Sequence, residues 1–126
     1  MIRVLGIDDE PDLLLIMKHF LKRSIEVEFT GAKSASEALD ILSTEKIDVI
    51  VSDFRMPDMN AYELLSTIRK RGIGTPFILF SASDEGELPS CAEHPQVDLV
   101  IRKRGEPPKL YSELSKAIVK LQSDRP

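Results

Sequence analysis

Short apolar runs that end in polar residues recur along this chain, and stretches with helical spacing separate them. Residues 2–7 form the first run and read as a strand. Pro11 suits the first turn of a helix, and the acids Asp9, Glu10 and Asp12 are favourable near its positive end. Leu13, Ile16, Met17, Phe20 and Leu21 then follow helical spacing on one face, with Lys18, Lys22 and Arg23 opposite or near the C-terminal end. Residues 25–29, Ile-Glu-Val-Glu-Phe, alternate strictly, as a half-exposed edge strand does, and Thr30-Gly31 reads as a turn after it. Ser34 and Glu37 make a capping-box pattern ahead of Ala38, Leu39 and Leu42. Residues 47–52 are nearly all apolar, which marks a central parallel strand buried on both faces.

The second half repeats the alternation. Met56-Pro57-Asp58 is a loop by its proline, and Tyr62, Leu64, Leu65 and Ile68 mark a third helix that ends at basic residues and Gly72. Gly72-Ile73-Gly74 lacks a phosphate-loop pattern and a following helix, so it reads as a connector. Residues 76–80 form another buried strand, closing on Ser81. The stretch 84–95 is the least regular, because Gly86, Pro89 and Pro95 shorten or distort any fourth helix there. Residues 97–101 give the fifth strand, and Leu110, Leu114, Ala117, Ile118 and Leu121 a last amphipathic helix. Strand followed by helix five times over predicts an α/β doubly wound fold, a parallel five-stranded sheet covered on both faces. The expected strand order is 2-1-3-4-5, with one domain over residues 1–122 and a linker or C-terminal tail over 123–126.

Composition narrows the chemistry. A net charge of −4 gives no basic footprint for nucleic acid, although Arg102-Lys103-Arg104 is a local basic patch. Cys91 stands alone, which excludes an intrachain disulfide and a cysteine metal site. The first residues turn acidic too soon for a signal peptide, and no apolar run approaches the ~20 residues of a membrane span. The expectation is a cytoplasmic protein with no membrane contact.

The polar residues at the strand ends carry the chemistry. In a doubly wound sheet, ligands bind beyond the carboxyl ends of the strands at the switch point, between strands one and three. Asp8 and Asp9 end strand one, Asp53 ends strand three, Ser81 ends strand four and the basic triplet follows strand five. Like charges held close raise one another's pKa. A fold tolerates such a cluster with a compensating cation, commonly a hard divalent metal with oxygen ligands. Side chains alternate along a strand, so only one of Arg102 and Lys103 can face this crevice.

Asp8-Asp9, Asp53 followed by Met56-Pro57, Ser81-Ala82 and Lys103 together resemble the receiver domain of two-component response regulators, from end to end. The resemblance implies the flavodoxin-like receiver fold and a role for each matching position. Asp53 would be the phosphoacceptor, and Asp9 a direct Mg2+ ligand, as would the backbone carbonyl of Arg55. Asp8 would act on Mg2+ mostly through water. Ser81 would bond the new phosphoryl group, and Lys103 would pair first with the acids and then with the phosphoryl oxygens. Lys103 is preferred over Arg102 because Lys103-Arg104-Gly105-Glu106-Pro107 resembles a Lys-Gly-Gly-Asp-Pro ending seen in receivers of methanogenic archaea. The family also implies a histidine kinase as phosphate donor and a downstream effector domain or protein as target, and it permits a homodimer. It implies no enzyme beyond catalysis of its own phosphorylation and dephosphorylation.

Several positions depart from the family pattern. Arg104 replaces the usual proline after the lysine, and a trans Lys103–Arg104 peptide follows, since cis without proline costs about 2.5–4 kcal/mol. Ala61 stands where a glycine is usual, and Val100 stands where an aromatic often swings inward. Two other classes compete. A haloacid dehalogenase phosphatase also uses an aspartate after a strand, but it needs a second acid two residues on, where this chain has Arg55. A non-phosphorylated interaction module on the same fold would not need the full set Asp9, Asp53, Ser81 and Lys103. His19 and His94 read as surface and loop, Met17, Met56 and Met59 as gap fillers, and Tyr62 and Tyr111 as half-buried helix residues.

Overall fold

The computed structural model describes residues 1–81 and 97–123. Five strands and four helices lie in the described residues. They are β1 (Ile2–Ile7), α1 (Pro11–Ser24), β2 (Val27–Ala32), α2 (Ala35–Thr44), β3 (Val49–Ser52), α3 (Ala61–Lys70), β4 (Phe77–Ser81), β5 (Leu99–Arg102) and α4 (Pro107–Ser123). The sheet order is β2-β1-β3-β4-β5, and every pairing is parallel. This is the doubly wound arrangement expected from the alternation. The irregular stretch 84–95, with Ala82, Ser83, Cys91, His94 and the tail 124–126, lies outside the described residues.

The strands sort their side chains by parity. Leu5, Ile7, Ile50, Phe77 and Leu79 face α2 and α3, where they meet Ala38, Leu39, Leu64, Leu65 and Ile68. Val4, Val49, Val51, Ile78, Phe80 and Ile101 face α1 and α4, where they meet Met17, Leu21, Leu110, Leu114 and Ile118. Alternation across a pleat puts successive residues on opposite faces, and both faces are covered, so β3 and β4 read as continuous apolar runs. All their residues are buried. Each such side chain contributes about 1.5–3 kcal/mol by leaving water.

Several local readings differ from the sequence expectation: β3 starts at Val49 rather than at residue 47, and β5 runs Leu99–Arg102 rather than over 97–101. β2 starts at Val27 rather than at residue 25, because Ile25 ends α1 and donates its N–H to the Leu21 carbonyl (3.0 Å). Thr30 and Gly31 continue the strand instead of turning, because β2 pairs with the whole of β1, from Ile2 opposite Val27 to Ile7 opposite Ala32. The glycines there serve packing. A Cβ on Gly6 would stand 2.6 Å from the Phe29 ring tip, and one on Gly31 would stand 3.3 Å from Leu14. On α1 the buried line is Leu14, Met17 and Leu21, while Ile16 is 39% exposed. The helix is thus rotated relative to the face expected from its hydrophobic spacing.

Caps fix the helix starts near the crevice. Ser34 Oγ accepts from the Glu37 N–H (3.1 Å) at α2. The reciprocal form of the box stands at α3, where Asn60 and Glu63 exchange bonds of 2.9 and 3.0 Å. The Lys103–Arg104 peptide is trans. Among the described residues no helix is long and apolar enough to cross a membrane.

Candidate functional site

The strand-end residues converge. Asp8 follows β1, and its N–H donates to the Ala32 carbonyl (3.0 Å), which extends the β1–β2 ladder by one residue. Its side chain is almost wholly buried at 1% exposure. One carboxylate oxygen accepts from the Glu10 N–H (3.0 Å), and the other accepts from Lys103 Nζ (3.0 Å). Asp9 is exposed. Asp53 follows β3, and its N–H donates to the Ile7 carbonyl (2.9 Å), so strand pairing locks its backbone beside Asp8. Its carboxylate accepts from the Phe54 N–H (2.8 Å) and from the Ser81 hydroxyl. Single oxygens of Asp8, Asp9 and Asp53 lie within 4.8 Å of one another.

The electrostatics are those of a crowded acid pocket. Burial pushes the Asp53 carboxyl above its ordinary value, Lys103 pulls it down, and Asp8 pushes it up again. The bonds from Phe54 and Ser81 then lower it. Two unit charges ~5 Å apart at an effective dielectric near 20 repel by about 3 kcal/mol. Three carboxylates sharing the Lys103 ammonium therefore leave negative charge uncompensated. Hard oxygen donors with two carboxylates at least partly open to solvent match the needs of Mg2+, which takes few carboxylates and keeps waters. The donor set of Asp8, Asp9 and Asp53 therefore fits that ion.

Lys103 reaches the pocket from just beyond β5. Its N–H donates to the Ser81 carbonyl (2.9 Å), which continues the β4–β5 ladder. That register places Lys103, not Arg102, against Asp8. Ser81 itself is fully buried at the end of β4. Arg55 is exposed in the loop two residues after Asp53.

Two residues at the site carry no clear sequence signal. Asp58, in the loop after Asp53, accepts from the N–H groups of Ala35 (3.1 Å) and Ser36 (2.8 Å) and so caps α2 from outside it. Its partners lie more than twenty residues away in the chain, where no local pattern records them. Phe80 reads simply as one apolar residue of a buried strand, yet its ring lies under the Lys103 ammonium, 5.2 Å from nitrogen to ring centre.

Known proteins share this fold. The sequence model of the response regulator receiver domain matches residues 4–115. The transcriptional regulatory protein GlrR of Escherichia coli (strain K12) is 34% identical over 88 residues, which cover 70% of this chain and 19% of that protein. The chain thus spans about a fifth of that relative's length. Among solved structures, the receiver domain of the Francisella response regulator 1452 is 28% identical with a TM-score of 0.84, covering 98% of each chain. The response regulator TrrA of Thermotoga maritima, crystallised in complex with Mg(2+)-BeF, is 26% identical with a TM-score of 0.80, covering 96% of this chain and 99% of that one. The chain belongs to the response regulator receiver domain family, the phosphoacceptor modules of two-component signal transduction.

Proposed function

We propose that Asp53 is the phosphoacceptor of this receiver and that it takes its phosphoryl group from the phosphohistidine of a histidine kinase. One observation carries the assignment. The Asp53 carboxylate meets two further acids, the Ser81 hydroxyl and the Lys103 ammonium in one crevice at the switch point of the sheet. A free Asp53 oxygen attacks phosphorus, the N–P bond of the donor breaks, and an acyl phosphate forms on Asp53 while imidazole leaves. Lys103 then turns from Asp8 to the phosphoryl oxygens as a compact point charge. Ser81 releases the carboxylate and donates to the same group. Water later attacks phosphorus and returns the carboxylate, so the domain turns over no substrate but its own phosphoryl group.

Asp9, Asp53 and the backbone carbonyl of Arg55 would hold Mg2+, with Asp8 acting through water. The bound ion would supply positive charge that offsets repulsion between the acids and an anionic donor. The Mg(2+)-BeF complex of TrrA supports this reading. The downstream partner is an effector domain or protein, as the transcriptional regulators among the relatives suggest.

Incubation with acetyl phosphate and Mg2+, read by intact mass, tests the acceptor. One phosphoryl mass should be added, and Asp53→Asn should abolish it. Normal labelling of that variant would overturn the assignment.

A further inference from the structure

The Lys103 ammonium is held from three sides. Its backbone is tied to Ser81 (2.9 Å) and its nitrogen bonds Asp8 (3.0 Å). Its third support is the Phe80 ring, with the ammonium 5.2 Å from the centroid and the side chain 13% exposed. A cation within ~6 Å of a ring centroid is attracted by the ring's negative face, more strongly where water is excluded.

Phe80 is not free to move under that cation. It is fully buried, and its ring meets Tyr111 of α4 edge-on, with centroids 5.6 Å apart at 63°. Tyr111 is itself only 5% exposed, and it stacks flat on Phe20 of α1, with centroids 5.1 Å apart at 2°. Three rings from β4, α4 and α1 thus form one wall behind the acid pocket. Burial first, and then the Asp8 charge, raise the pKa of Tyr111. An ammonium on a flexible stem has several carboxylates to choose from here. A fixed ring floor narrows that choice.

We propose that Phe80 and Tyr111 are positioning residues for Lys103, aiming its ammonium at Asp8 in the resting domain and at the phosphoryl group on Asp53. The second half rests on the function proposed above, and the first does not. If the rings merely fill the core, their removal acts independently of Lys103. If they aim Lys103, their effect vanishes when Lys103 is gone.

Two measurements decide it. In a proton–carbon spectrum, the Lys103 side-chain methylenes should be shifted upfield by the Phe80 ring current. Phe80→Leu should abolish the shift, Tyr111→Leu should reduce it, and Tyr111→Phe should keep it. Unshifted methylenes in the wild type would overturn the proposal. In a double-mutant cycle on labelling by acetyl phosphate, Phe80→Leu should slow the reaction about 3–10-fold. It should add nothing in a Lys103→Ala background, whereas additive losses would refute aiming. Tyr111→Leu carries the cycle if Phe80→Leu does not fold. If the wild type takes no label, the acceptor assignment falls, and the same cycle read on Mg2+ affinity decides the aiming: coupling upholds it and additivity overturns it.

Discussion

Lys103 and Asp8 form a pair whose two members are unequally exposed, at 13% and 1% of their side chains. Taking Lys103 away leaves a buried carboxylate beside two others. Breaking a buried pair from one side costs about 3–5 kcal/mol, and some exposure places this one near the lower end. Lys103→Ala should therefore lower the melting temperature, and Mg2+ should restore part of the loss by replacing the missing charge. A loss unaffected by Mg2+ would separate the lysine from the metal pocket. Asp9 is different because it is exposed and contributes little to folding. Asp9→Ala should leave the metal-free melt unchanged or slightly higher, since one repelling charge goes, and should blunt the Mg2+-dependent rise. A variant that keeps the full rise would show that Asp9 holds no metal. Asp8 and Asp9 are readable in the chain because they close the first strand, whereas Lys103 is singled out from Arg102 by the resemblance to receivers. Tyr111 was misread as half-buried, since its ring partners come from β4 and α1.

At the scale of elements, Asp58 joins the loop after β3 to the start of α2. Partial desolvation pushes its pKa up, but the N–H groups of Ser36 and Ala35, helped by its own and that of Met59, outweigh this and hold it below 3.8. A carboxyl with a lowered folded pKa stabilises above its unfolded pKa and loses that contribution as pH falls through the folded value. Asp58→Ala should thus destabilise by about 1 kcal/mol at pH 7, the usual size of a lost cap. The gap between variant and wild type should close in urea melts taken below the unfolded value of 3.8. A gap independent of pH would mean that the charge is idle. The β1–β2 pair makes a second prediction. Gly6→Ala puts a methyl against the Phe29 ring, with the Met17 sulfur at 3.1 Å, and should destabilise by about 1 kcal/mol. Phe29→Leu in the same chain should recover most of it, as chemical denaturation can measure. The turn read at Thr30-Gly31 failed for a related reason. Glycine is common in turns, but here it makes room between a strand and the side chains of Leu14 and Phe29.

Across the whole molecule, one parallel sheet divides two apolar layers, and the acid pocket sits where the strands end between them. Ligand binding to the pocket alone stabilises the whole cooperative unit. At a Mg2+ concentration of 100 times its dissociation constant, the gain is about 2.7 kcal/mol. The melting temperature should climb logarithmically with Mg2+, and Asp53→Asn should flatten the climb. An identical climb in that variant would place the ion elsewhere. The alternation of apolar runs and helical spacing suffices to read the element types, the parallel sheet and the crevice where Asp8, Asp9, Asp53 and Ser81 gather, while the choice of Lys103 over Arg102 rests on the family resemblance. Periodicity records whether a residue faces water or core, and a doubly wound sheet turns that record into a topology. It does not record which partner a residue meets. The span of β2, the rotation of α1, the cap that Asp58 lends to α2 and the ring beneath Lys103 all depend on contacts between segments distant in the chain. Those are settled when the layers pack, because only then do neighbouring elements compete for the same space and the same hydrogen-bond donors.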